Sequence, residues 1–302
     1  LYPRIGMAAA AWSMSSGFLI RSMFLAWRYH NLSGAGVAET WLPHSGDARR
    51  ILDELRPGLT TARATQVSFD AGRVLKRQSP EQARREFENS EAGRSLGAQS
   101  GSFAVPPILE SDLEAGLLVF EEIQAGQPLA KLLLLASPQE AEARVAQAAV
   151  ALASIHEQRT HGDFSLSNLL FRSQDQQLFV VDWSVAHWLG EPKDEAERSS
   201  LDPDLGIFLL SLFYRRPLST SAVRNPERIA RAFLRTYLEN CSGAFDLDRF
   251  QRVFPELLER FARDRAAVRG PLRALLYRPS LRRAARFVKT FKLDTVPGMG
   301  NS

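Results

Sequence analysis

Four residues could do chemistry together. The stretch THGDFSLSNLL (160–170) carries His161, Asp163 and Asn168, and Asp182 follows in VVDWS (180–184), directly after a run of Leu, Phe and Val. Phosphoryl transfer asks little covalent help of a protein. It needs a carboxylate near the acceptor hydroxyl, cations spread over the phosphate oxygens, and groups that hold those cations. An Asp with an Asn five residues later supplies a base and one hard oxygen ligand. A second Asp, delivered at the end of an adjacent strand, completes a site suited to magnesium. The simpler reading of the same residues is a polar turn before a buried strand.

Such a loop needs a scaffold, and the flanking sequence predicts one from about residue 49. ATQVSFDAGRVLKRQ reads as two strands joined at Asp70-Ala71-Gly72. SPEQARREFENSEAGRSLG opens with a Ser-Pro helix entry, and VPPILESDLEAGLLVFEEI gives a second strand pair around Glu114-Ala115-Gly116. AGQPL then breaks the pattern at Gly126 and Pro128, closing a small, sheet-rich lobe. Beyond it the chain is mainly helical. SPQEAEARVAQAAVALASIHEQ places Val145, Ala148, Ala149, Leu152 and Ile155 at helical spacing. DPDLGIFLLSLFY reads as a buried helix, and PERIARAFLRTYLE and LDRFQRVFPELLERFARDRAAV as amphipathic ones.

HGDFSLSNLL and VVDWS together resemble the catalytic and metal-binding loops of the aminoglycoside phosphotransferase and choline kinase type of protein-kinase-like enzymes. The resemblance spans roughly residues 50 to 215. It implies an α+β, two-lobed protein-kinase-like fold with a small antiparallel-sheet N-lobe and a mainly helical C-lobe. Residues 49–124 would form the first lobe and 125–302 the second, with 1–48 an amino-terminal segment of unassigned structure. By position, Asp163 matches the catalytic Asp, Asn168 and Asp182 the metal ligands, and His161 the loop's structural histidine. Asp204 in DPDLGIF matches the buried-helix Asp that anchors the loop through backbone N–H groups. Lys76 in RVLKR matches the lysine that contacts the α- and β-phosphates. Its partner is Glu86 by first choice, with Glu88 and Glu91 as alternatives because the helix register is open. VFEEI resembles the linker whose backbone holds the adenine edge, at Glu121 and Ile123. The implied cofactors are ATP and magnesium.

Two departures shape the expectation. The phosphate-covering stretch PGLTTARATQV has only Gly58, so Thr60 and Thr61 would have to help through hydroxyls and backbone. DWS stands where protein kinases have Asp-Phe-Gly, and Gly162 replaces the arginine that reads a phosphorylated activation loop in many of them. Both favour an enzyme for a small or lipid-linked hydroxyl substrate over a switched protein kinase. A catalytically inactive, nucleotide-binding scaffold on the same fold is the alternative.

Composition bounds the rest. At 302 residues, 45% hydrophobic and 24% charged, the chain can build a substantial core. Its single cysteine, Cys241, excludes an intramolecular disulfide and a Cys-clustered zinc site. The net charge of +4 is uneven: residues 260–292 hold eleven Arg and Lys against one acid, Asp264. That basic end suits an anionic acceptor or peripheral contact with an anionic membrane. It accompanies no nucleic-acid recognition motif, so no nucleic-acid partner is expected. His156 and His187 read as packing or surface residues, and Trp183 and Trp188 as packing around the Asp182 loop. The uncharged stretch IGMAAAAWSMSSGFLI (5–20) superficially resembles a signal peptide but is short of the ~20 residues of a spanning helix. The need for intracellular nucleotide argues for a cytoplasmic site, at the inner face of the membrane if the basic end docks there.

Overall fold

The chain divides into two units, Leu1–Arg63 and Ala64–Ser302. A computed structural model describes residues 66–183, 200–214, 223, 225–241, 245–269 and 271–292, all within the second unit. The expectations for residues 1–65, Thr60 and Thr61 among them, and for His187 and Trp188 lie outside the described residues.

Strands β1 (Gln66–Asp70) and β2 (Arg73–Arg77) form a hairpin. Its two turn residues, Ala71 and Gly72, both take positive φ (44° and 82°), the geometry whose twist matches a two-residue hairpin. β3 (Ile108–Asp112) and β4 (Leu117–Glu121) form the second hairpin, and β4 pairs with β2, giving the antiparallel order β1-β2-β4-β3. Gly116 in the second turn (φ 68°) approaches the Gln78 carbonyl so closely that a Cβ would lie 2.0 Å from that oxygen. Between the hairpins runs α1 (Pro80–Ser100), started by a reciprocal Ser79–Gln82 capping box with Pro80 in its first turn. It packs on β4, turning Ala83, Glu86, Ser90, Gly93 and Leu96 inward.

The helical part begins with α2 (Leu129–Leu135) and α3 (Pro138–His156), the latter with its own Ser137–Glu140 capping box. The five apolar positions expected to face the core of α3 are all buried. α4 (Asp202–Phe213) is buried on nearly every face. It is enclosed by α5 (Pro226–Asn240), α6 (Leu247–Arg269) and α7 (Pro271–Thr290), while α3 packs along α5 and α6 along α7. AGQPL does more than break the pattern. Gly126–Pro128 forms strand β5, which pairs with β6 (Leu169–Arg172) and through it β7 (Leu178–Val180). A proline is tolerated there because β5 is the edge of that sheet and Pro128 is its last residue. The architecture is thus α+β, a small antiparallel sheet with one long helix followed by a mainly helical body. No helix among the described residues is long and apolar enough to cross a membrane.

Candidate active site

The sheet, α1 and the end of β7 meet at one ammonium group. On β2, Lys76 lies opposite Val67 on one side and Leu118 on the other. Its Nζ donates to Glu86 Oε1 at 2.7 Å and to Asp182 Oδ1 at 2.6 Å. The second Glu86 oxygen accepts from Gln78 Nε2 at 2.7 Å. Glu86 is the glutamate that reaches Lys76 because it sits on the inward face of α1. Glu88 faces solvent, and Glu91 pairs with Arg94 at 2.7 Å.

Burial alone would lower the Lys76 pKa, but the charges and hydrogen bonds of Asp182 and Glu86 outweigh it. The ammonium is held above its ordinary value and stays charged. Glu86 moves up from the ordinary carboxyl range, because its own burial and the Asp182 charge exceed the pull of Lys76 and Gln78. A carboxylate this deep (1% exposed) is tolerable only while that cation remains beside it.

The loop between α3 and β6 is fixed from beneath by Asp204, in the first turn of α4. One carboxylate oxygen accepts the His161 N–H at 2.7 Å and the other the Gly162 N–H at 2.8 Å. Gly162 takes φ 96° here, a conformation that side chains resist. His156 Nε2 lies 3.2 Å from Asp204 Oδ2, and His156 Nδ1 lies 2.7 Å from the Tyr237 hydroxyl. Burial would raise Asp204, but the hydrogen bond and charge of His156, with the His161 contacts, bring it below the ordinary aspartate range. His161 Nδ1 accepts the Asp163 N–H at 3.1 Å, which puts the ring proton on Nε2. Burial depresses the His161 pKa, against the charges of Asp204 and Asp182, which favours the neutral ring.

Asn168 then locks Asp163. Its Nδ2 donates to the Asp163 carbonyl at 2.9 Å and to Asp163 Oδ2 at 3.0 Å. That pairing orients the amide, because only the nitrogen can donate to both oxygens, and it presents the carbonyl oxygen elsewhere. The Asn168 backbone carbonyl accepts the Val181 N–H at 3.0 Å, joining the loop to the residue before Asp182. Asp182 itself sits at φ 62°, a left-handed conformation that Asp tolerates better than most residues. Its side chain is 37% exposed, whereas Asp163 and Asn168 are buried. Asn168 thus fixes the geometry of the buried pair, and Asp182 is the most open of the three.

The donor set fits magnesium. Among the described residues no group of three or more His, Cys, Asp and Glu is gathered for a metal. Asp182 and Asn168 offer one carboxylate and one amide oxygen, which suits an ion that keeps several waters and takes phosphate oxygens. Of the residues expected to bind nucleotide, Lys76 is at this centre. Glu121 closes β4, its N–H given to the Pro107 carbonyl at 3.0 Å, and Ile123 lies in the following turn, which closes through Gly126 N–H to Ile123 O at 2.9 Å.

Kinases are among the solved structures to which the chain is similar. A choline/ethanolamine kinase family protein from Mesorhizobium loti is 14% identical, over 81% of this chain and 95% of its own, with a TM-score of 0.44. The choline kinase LicA from Streptococcus pneumoniae is 12% identical over 82% and 99% of the two chains, TM-score 0.37. A MAP kinase from Leishmania major is 14% identical over 80% and 88%, TM-score 0.30. No family model matches the chain, and no curated protein sequence does.

Four contributors to the site carry no motif signal. Gln78 lies two residues past Lys76 and holds the second oxygen of Glu86. His156 is the packed histidine its sequence context suggests, and it also bridges Asp204 to Tyr237. Asn89 and Arg159, one on α1 and one just past α3, meet each other and the Trp183 segment. Only the inward helical spacing of 86, 90 and 93 on α1 hints that its neighbours matter.

Proposed function

We propose that this chain is an ATP- and magnesium-dependent phosphotransferase of the protein-kinase-like type, with an alcohol group of a small or lipid-linked molecule as acceptor. The observation that carries it is the two-sided bridge Glu86–Lys76–Asp182, set against a loop in which Asn168 holds the Asp163 carboxylate. A lysine balanced between two carboxylates, one buried and one open, is poised to exchange part of its pairing for phosphate oxygens. Asp182 and Asn168 would hold magnesium, which when bound spreads the phosphate charge. Asp163 would orient the acceptor hydroxyl and take its proton. Its carboxylate is kept in one rotamer by Asn168, and its backbone is fixed by His161. Glu121 and Ile123 would meet the adenine through backbone groups. Asp204 takes no part in chemistry; it fixes where the loop lies.

The acceptor is best sought among anionic molecules at a lipid surface. α7 buries Tyr277, Leu281, Ala284, Phe287 and Val288, and leaves Arg278, Arg282, Arg286 and Lys289 exposed. Their spacing of four, four and three residues lines them along one side of the helix. Arg283, beside them, is neutralised by Glu227. A screen of hydroxyl-bearing metabolites, aminoglycosides and envelope sugars for ATP-dependent phosphorylation tests the function directly. Transfer to at least one alcohol, lost without magnesium, supports it. Magnesium-independent nucleotide binding with no transfer to any of them supports the inactive scaffold instead.

A further inference from the structure

We propose that Asn89, Gly93, Arg159 and Trp183 form a clamp that fixes α1 to the segment carrying Asp182, and so holds Lys76 between its two carboxylates without an external switch. Trp183 follows Asp182 directly, and its indole is almost fully buried against α1. Three contacts seat the ring. Its Nε1 donates to the Val180 carbonyl at 3.1 Å, the His161 ring lies 4.6 Å away centroid to centroid, and the Phe103 ring lies 6.1 Å away.

On α1, the position that faces the indole is Gly93, and nothing larger fits. A Cβ there would stand 2.5 Å from Trp183 Cζ2 and 2.6 Å from Cε2, inside any real carbon–carbon contact. One turn earlier, Asn89 Nδ2 donates to the Trp183 carbonyl at 3.1 Å. Asn89 Oδ1 accepts from Arg159 Nη2, and the Arg159 guanidinium lies over the Trp183 ring, 5.7 Å from its centroid. Arg159 stands two residues before His161, so the clamp joins three segments: α1, the Asp163 loop and the end of β7.

The consequence follows from helix geometry. Glu86, Asn89 and Gly93 lie three and four residues apart, hence on one face of α1. With Asn89 hooked to the Trp183 backbone and Gly93 seated on its ring, α1 cannot slide or swing without breaking both contacts. Glu86 and Asp182 therefore keep their spacing, and Lys76 keeps two partners. These four are positioning residues, since they act on Lys76 through Glu86 and Asp182. The catalytic value of the clamp rests on the function proposed above; its existence does not.

The test reads Lys76 itself, in the full chain and without nucleotide. Acetylation by N-hydroxysuccinimidyl acetate, quantified by peptide mass spectrometry, reports how far the amine is freed from its carboxylates, with exposed Lys131 as internal control. Asn89→Ala should raise labelling at Lys76 roughly tenfold at unchanged Lys131 labelling, as loss of one contact in a coupled network can do. Gly93→Ala should do the same, and adding Trp183→Phe, which removes the clashing ring atoms, should return labelling toward that of Trp183→Phe alone. Circular dichroism establishes that each variant is folded, and if Asn89→Ala unfolds, the Gly93 and Trp183 variants decide by the same readout. Parental labelling of Lys76 in folded Asn89→Ala or Gly93→Ala overturns the clamp. Failure of the parent chain to transfer phosphate to any alcohol would overturn the proposed function and leave this result standing.

Discussion

Replacing Asp204 with asparagine should loosen the loop that carries Asp163 while leaving every exposed group of the site in place. The carboxylate accepts the His161 and Gly162 N–H groups, at 2.7 and 2.8 Å, and faces His156 Nε2, all at 1% exposure. An asparagine keeps one acceptor oxygen and turns an NH2 group toward a donor. It thus forfeits a hydrogen bond to a charged acceptor, about 1.5–3 kcal/mol, and leaves a buried N–H unpaired, about 1–3 kcal/mol. The two costs overlap, and a total of about 3 kcal/mol is expected. That is a large fraction of the 5–15 kcal/mol typical of a domain, and corresponds to a fall in Tm of roughly 6–12 °C.

The pH dependence separates this cause from a generic packing defect. The Asp204 pKa is lower in the folded chain than in the unfolded one. Its stabilisation is therefore fully present above the unfolded value of about 3.9 and is lost as pH falls through the lower folded value. Urea unfolding of parent and Asp204→Asn should differ by about 3 kcal/mol at pH 7, and the gap should begin to narrow as pH falls below about 4. Amide exchange at His161 and Gly162 should accelerate selectively in the variant at pH 7. A gap independent of pH, or protected amides at both positions, would refute the reasoning.

Asp163→Asn should leave nucleotide affinity, measured by calorimetry, almost unchanged and lower turnover by roughly 10²–10⁴, the usual contribution of a positioned base. Asp182→Ala should abolish magnesium-dependent turnover and weaken nucleotide binding, because it removes the open carboxylate; parental activity in both variants would point to an inactive scaffold. Lys76→Met strands Glu86 without its cation and should cost about 3–5 kcal/mol in urea unfolding, most of which Glu86→Leu in the same chain should restore. Charge reversal of Arg278, Arg282, Arg286 and Lys289 should weaken sedimentation with phosphatidylserine vesicles, at on the order of 1 kcal/mol per charge; binding equal to the parent would make α7 an ordinary solvated face.

What could be read from the sequence was whatever depends on local pattern. The hairpin was legible because Asp70-Ala71-Gly72, with a glycine that takes positive φ freely, stands between two strand-like runs. The inward face of α3 was legible because its apolar spacing has helical period. The order of Asp163, Asn168 and Asp182 was legible because a short loop and the strand after it keep their spacing in three dimensions. Even there the choice among Glu86, Glu88 and Glu91 stayed open, since it depends on where α1 meets the sheet. Gln78 settles part of that choice from two residues past Lys76, by occupying the oxygen of Glu86 that Lys76 leaves free.

The clamp was illegible for a deeper reason. Gly93 sits inside a helix, where a glycine costs about 1 kcal/mol relative to alanine, and taken alone it reads as a weak point in α1. Its purpose exists only when the Trp183 ring, ninety residues away, is laid against it. Asn89 likewise reads as one more polar residue on a solvated face until its amide is seen between the Trp183 carbonyl and Arg159. A tryptophan after Asp182 thus demands a hole in α1, and the glycine supplies it. The two positions are one feature of the site. Enlarging residue 93 should then be tolerated only when residue 183 is made smaller, and Lys76 should report which of the two has changed.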